Sequence, residues 1–167
     1  EDALFSFAKL SYELDFSPFN EAVKAFSKYL KQYPTSPRKD EARRYLINVY
    51  STTKNYDRAI ESIESLDSQD PIIKANYEKL VFFKAIEHFN NNELDNAEKQ
   101  FKKAVGINAD KNFNALSQYW LGEISYIRKD YSTSIDIWKN FLLTPSTIQL
   151  KEFDLAHYNL GYAYFQR

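Results

Sequence analysis

Apolar side chains return every third or fourth residue through most of this chain, with polar residues between them. That is the period of an amphipathic helix. It predicts helices over 3–15, 19–33, 38–53, 56–67, 71–90, 93–106, 113–128, 131–143 and 151–166. Between them stand residues that favour turns: Lys54-Asn55, Asn90-Asn91-Asn92 and Lys129-Asp130, with Asn suited to the backbone of a helix end. Ser36-Pro37 and Asp40 precede one helix, and Asp70-Pro71 reads as an N-cap followed by Pro at the first helical position.

The pattern repeats. Four segments align on a small residue three positions after an aromatic or Leu: Phe19-Asn-Glu-Ala22, Tyr56-Asp-Arg-Ala59, Leu94-Asp-Asn-Ala97 and Tyr131-Ser-Thr-Ser134. The small residues are 37, 38 and 37 positions apart. Four residues after each comes Phe26, Ile63, Phe101 or Trp138, and three further on Tyr29, Leu66, Ala104 or Phe141. Pro34, Pro71 and Pro145 close three of the units, and Ala109-Asp110 stands in that place in the remaining one. The preceding segments recur too, as Ala42 to Tyr50, Tyr119 to Tyr126 and Ala156 to Tyr164, with Gly122 and Gly161 39 positions apart. Each unit reads as a first helix, a short turn, a second helix and an exit. The unit boundaries are 1–36, 37–72, 73–111 and 112–149, with a half unit at 150–167.

Leu121-Gly122-x-x-x-Tyr126 and Leu160-Gly161-x-x-x-Phe165 in first helices, with Phe19-x-x-Ala22-x-x-x-Phe26 and Leu94-x-x-Ala97-x-x-x-Phe101 in second helices, resemble the tetratricopeptide repeat. The likeness covers nearly the whole chain. The units are longer than the usual length of about 34 residues. The first lacks the Gly and has a longer turn, Asp15-Phe16-Ser17-Pro18, and the third has Ala85 where Gly would sit. The stretched units and Tyr33-Pro34-Thr-Ser-Pro37 are similar to bacterial envelope repeat proteins, among them outer-membrane assembly lipoproteins and the periplasmic partner of the Tol system. The Asn, Lys, Tyr and Phe content is similar to repeat proteins of Bacteroidetes-type bacteria. The resemblance implies an all-α, right-handed superhelix of about four and a half hairpins, in one array over 1–167. It also implies a non-enzymatic protein-binding scaffold in the cell envelope.

First helices line the concave face in this family. The inward stripe at i, i+4 and i+7 is Arg44, Asn48 and Ser51 in the second unit, and Tyr119, Glu123 and Tyr126 in the fourth. In the half unit it is Tyr158, Tyr162 and Phe165, and in the third unit Phe82, Ile86 and Phe89 lie on the equivalent line. Arg44, Asn48, Tyr119, Glu123, Tyr126, Tyr158 and Tyr162 are therefore the candidates for binding a peptide or protein. The spacing leaves open whether these tyrosines line a groove or touch neighbouring helices. A clamp for a peptide C-terminus needs converging Lys, Arg and Asn, and Glu123 opposes it.

Composition sharpens this picture. Aromatics number 28 of 167 residues (13 Phe, 13 Tyr, 2 Trp). The stacking of hairpins accounts for Phe26, Tyr50, Tyr56, Phe89, Phe101 and Trp138 as core, and truncating Trp138 to Ala costs about 3–5 kcal/mol. Gly and Pro are scarce (3 and 5), which excludes turn-rich β architectures and Gly-rich nucleotide loops. The charge is balanced, with 22 basic and 23 acidic residues, so no field favours nucleic acid. Lys99, Lys102 and Lys103 follow Glu93, Asp95 and Glu98 on one helix, an order that complements the helix dipole. There is no Cys, and no apolar run reaches the roughly 18 residues of a membrane span. His88 and the Asp154/His157 pair do not make a metal or catalytic site, and no phosphate loop or nucleophile elbow is present; no cofactor is expected. No Met occurs and the chain begins at Glu1, so we expect a processed or excised piece. Leu155, Leu160, Tyr164 and Phe165 give the last helix an apolar surface. That leads us to expect a following helix in the full protein, and homo-oligomerisation of this piece through that end. A structural spacer or self-association segment is the alternative function.

Overall fold

In the computed structural model, the described residues are 1–14, 21–52, 54–64 and 71–167. Among them the apolar period becomes nine α-helices: α1 (Asp2–Leu14), α2 (Glu21–Gln32), α3 (Lys39–Thr52), α4 (Tyr56–Glu64), α5 (Pro71–Asn90), α6 (Leu94–Ile107), α7 (Lys111–Ile127), α8 (Tyr131–Leu143) and α9 (Glu152–Gln166). A 3-10 turn, Pro145–Thr147, follows α8. No strand occurs among the described residues. The Asp15–Pro18 turn, Leu66 and the Asp70 cap lie outside them, as do the side chains of Tyr50 and Ser51. The helices gather into two compact units, Glu1–Gln69 and Asp70–Arg167.

The aligned positions are the core positions. Ala22, Ala59, Ala97 and Ser134 are all completely buried, because a small side chain there lets the two helices of a hairpin close up. The bulky residue one turn later fills the space beside them: Phe26, Ile63, Phe101 and Trp138 are all buried. In the first unit α1, α2, α3 and α4 pack in sequence. Phe26 stands edge-on to Phe5 and stacks on Tyr45 at 5.0 Å. Buried Tyr29 sends its hydroxyl to Glu1 Oε1 at 2.9 Å, which ties the start of α1 to α2.

In the second unit α5 pairs with α6, α7 with α8, and α9 packs on α8. One core cluster centres on Phe82, Ala85, Phe101 and Ile124, and the other on Tyr119, Ile135, Trp138 and Phe141. Trp120 belongs to both, stacked on Phe101 and edge-on to Phe89. At Gly122 the Trp138 side chain of α8 lies against the backbone of α7. A Cβ there would lie 2.5 Å from Trp138 Nε1, so the indole rests on bare backbone. Its N–H donates to the Tyr119 carbonyl at 3.2 Å.

The hairpin turns share one construction. After α5, Asn92 is left-handed (φ 61), its N–H donates to the Phe89 carbonyl and the Glu93 N–H to that of His88. After α7, Lys129 is left-handed (φ 64), and the N–H groups of Lys129 and Asp130 reach Tyr126 and Ser125 in the same way. Both are Schellman closures. Lys54 (φ 58) occupies the corresponding place after α3. Asp110 and Asp130 cap α7 and α8, accepting the N–H groups of Asn112 and Phe113 and of Thr133.

The α6–α7 joint lacks the proline of the other exits and uses a buried acid instead. Glu78 of α5 is completely buried, and its Oε2 accepts the N–H groups of Ala109 and Asp110 at 2.6 Å each. Burial pushes this carboxyl above its ordinary range against the pull of those two donors.

Candidate functional site

Arg44 and Asn48 lie one turn apart on α3 in the first unit, and both are exposed. The side chain of Ser51, third in that stripe, lies outside the described residues. The other five candidates belong to α7 and α9 of the second unit. On the equivalent line of α5, Phe82 is buried against Phe83 and Phe113, and half-buried Phe89 packs on Trp120. That line is core.

The α7 and α9 helices meet side by side, and their residues form one polar knot. Tyr119 is only 3% exposed. Its ring packs on Phe141 (5.5 Å between centroids), Trp120 and Trp138. The expectation that Tyr119 offers its ring to a partner therefore does not hold. The Gly122 notch draws α8 close to α7, and the core widens to include a residue that spacing alone had put on the inner stripe. What Tyr119 contributes is its hydroxyl, which donates to Glu123 Oε1 at 2.5 Å. The Asn159 Nδ2 amide, from α9, donates to both the Tyr119 hydroxyl and Glu123 Oε1.

Burial is the main cause that pushes the Tyr119 phenol up, with the Glu123 carboxylate adding to it. Burial also raises the Glu123 carboxyl, opposed by the hydrogen bonds from Tyr119 and Asn159. Tyr126 is half-buried, packed on Tyr131 and Trp138. Tyr158 and Tyr162 are exposed, with rings 4.6 Å apart and hydroxyls 3.1 Å apart. Together with this pair, His157, Gly161 and Phe165 line a shallow apolar depression on α9, and Phe165 is 84% exposed.

Asn159 is the residue that sequence reasoning missed. A signal existed: it is three residues after buried Ala156 and four before buried Ala163, a polar residue on the packed stripe of α9. Buried polar groups need partners, and that pointed inward. Elsewhere, His88 Nδ1 pairs with Glu93 Oε2 at 2.5 Å, while His157 Nδ1 lies 3.2 Å from the Phe153 carbonyl. Among the described residues no three metal-ligating side chains converge. No helix there is long and apolar enough to cross a membrane.

Helical hairpins repeated at this period, with small residues at each close approach, define a helical-repeat protein. A family model described as tetratricopeptide repeat matches residues 7–71, and a second of the same description matches residues 78–111. Together they span more than half of the chain. The chain belongs to the tetratricopeptide-repeat family, and as such is a non-enzymatic protein-interaction module. No curated protein matches its sequence. Among solved structures it is similar to that of the MamA protein, at 18% identity and TM-score 0.54, over 99% of this chain and 81% of that one. It is also similar to BtubC (BKLC) from P. vanneervenii, at 15% identity and TM-score 0.54, over 99% and 67% of the two chains. At such identities the likeness is one of fold.

Proposed function

We propose that the paired faces of α7 and α9 bind a peptide segment of a partner protein, with Arg44 and Asn48 offering a separate polar contact on the first unit. The observation that carries this reading is the Tyr158/Tyr162 pair, held ring to ring at the surface next to a half-buried carboxylate. Tyrosine gives a large apolar contact and a hydroxyl at small entropic cost, which suits recognition. A random-peptide display library selected on the intact protein tests it. Selected peptides should lose binding to the Tyr158→Ala/Tyr162→Ala variant, whose exposed positions leave the fold intact. Peptides that bind both proteins equally would defeat the reading.

A second reading is self-association through the exposed face of α9 that also carries the tyrosine pair. Leu155 and Phe165 are exposed there, and around Gly161 an added Cβ would meet nothing within 4 Å. Sedimentation should then show a concentration-dependent dimer that Phe165→Ala weakens; a monomer at all concentrations would dismiss it. We also place the protein in a bacterial cell envelope, on the stretched repeats alone, and recovery only in a cytosolic fraction would overturn that.

A further inference from the structure

We propose that the paired faces of α7 and α9 select peptides carrying a basic side chain, with Glu123 as the group that receives its charge. This rests on those faces being a peptide site, and adds the chemistry of what binds there.

Glu123 is a half-buried carboxylate whose two oxygens are used unequally. Oε1 accepts both the Tyr119 and the Asn159 hydrogen bonds. Oε2 takes none from the described residues, yet it is not closed off from solvent. No cation is among the groups that act on Glu123. Buried charge is ordinarily paired: half-buried Glu98 in this unit holds Arg128 and Lys102, while completely buried Glu78 has no cation but takes two backbone N–H groups on one oxygen. Glu123 has neutral donors only, and burial already makes its charge costly. Its neighbourhood adds no positive charge. Glu152, at the start of α9, brings a second negative charge to bear on the Tyr119 hydroxyl.

This face therefore repels a carboxylate or phosphate and leaves a lone carboxylate oxygen for a donor. Exposed Tyr158 and Tyr162, on the same helix as Asn159, offer aromatic surface that would attract a cation and cover its aliphatic stem. Lysine or arginine supplies both the charge and the stem. The fixed geometry, set by Tyr119 and Asn159, leaves Oε2 pre-oriented, so little ordering is lost on binding.

The probe is the same random-peptide display library, selected in parallel on wild-type protein and on Glu123→Gln. The amide keeps an acceptor oxygen for Tyr119 and Asn159 and removes the charge. Peptides from the wild-type selection should be enriched in Lys or Arg. Changing that residue to Gln in a synthetic peptide should weaken binding to wild type about tenfold and leave binding to Glu123→Gln nearly unchanged, which is the coupling a double-mutant cycle reads. Affinity for wild type should also fall with rising salt. The peptide-side substitution and the salt titration do not depend on the variant folding. Peptides that need Tyr158 and Tyr162 but carry no basic residue, or whose basic residue shows no coupling to Glu123, would overturn the selectivity while leaving the peptide site standing. Peptides indifferent to Tyr158, Tyr162 and Glu123 alike would overturn both.

Discussion

Replacing Gly122 with Ala tests the contact between the α7 backbone and the Trp138 side chain. The new Cβ would sit 2.5 Å from Trp138 Nε1 and 2.9 Å from Cδ1 and Cε2. Carbon contacts are comfortable from about 3.5 Å, so the indole or the helix must retreat by about 1 Å. The indole has no easy retreat. It is completely buried, hydrogen-bonded to the Tyr119 carbonyl, and flanked by the Tyr119 and Tyr126 rings. Overpacking of this kind costs about 1–3 kcal/mol. Losing a mid-helix glycine returns about 0.5–1 kcal/mol. Gly161→Ala is the control, since it earns the same helix term and its Cβ meets nothing within 4 Å. The two variants should therefore differ by about 1–3 kcal/mol, with Gly161→Ala at or above wild type. Urea unfolding followed by tryptophan fluorescence reads this directly, because both tryptophans, Trp120 and Trp138, belong to the second unit. Equal stabilities for Gly122→Ala and Gly161→Ala would refute the tight-contact reasoning.

Glu78 makes a pH prediction. Its native carboxyl holds a proton more tightly than in the unfolded chain, so its contribution is fully present below the ordinary carboxyl range and is lost as pH rises through the raised native value. The stability difference between wild type and Glu78→Gln should shift against wild type as pH rises through that window; a difference that moves the other way counts against it. Asp110→Ala removes the acceptor for the Asn112 and Phe113 N–H groups at the start of α7 and should cost about 1 kcal/mol by urea titration. An unchanged midpoint would mean that water replaces the cap.

The helices were legible because the apolar period and the punctuation agree. The expected 71–90 and 131–143 match α5 and α8 residue for residue, and α6, α7 and α9 differ only by a residue or two at their ends. The 3-10 turn at Pro145–Thr147 was not anticipated. Its anchor is the Thr147 hydroxyl, buried and bonded to the Phe141 carbonyl at 2.8 Å, and composition gives no sign of such a bond. The candidate site was legible in part. Spacing placed Tyr158 and Tyr162 at positions that are exposed in the structure. It misjudged Tyr119, because how far a core extends around a helix depends on how closely the next helix approaches. Here Gly122 and Trp138 set that distance together, from two different helices. Glu78 escaped notice for a related reason. A lone acid in a helix looks like solvated surface until the loop it serves, 31 residues away at Ala109, folds over it.

The left-handed residues Lys54, Asn92 and Lys129 are 38 and 37 positions apart, and none of them is glycine. Asparagine accepts that conformation readily, but a lysine there carries a local cost of about 1–2 kcal/mol, so at Lys54 and Lys129 the backbone path is imposed by the hairpin and not by the residue. A hairpin exchanged between these points would meet the same backbone angle at its joint, for any side chain that tolerates positive φ; proline is excluded and β-branched residues are strongly disfavoured.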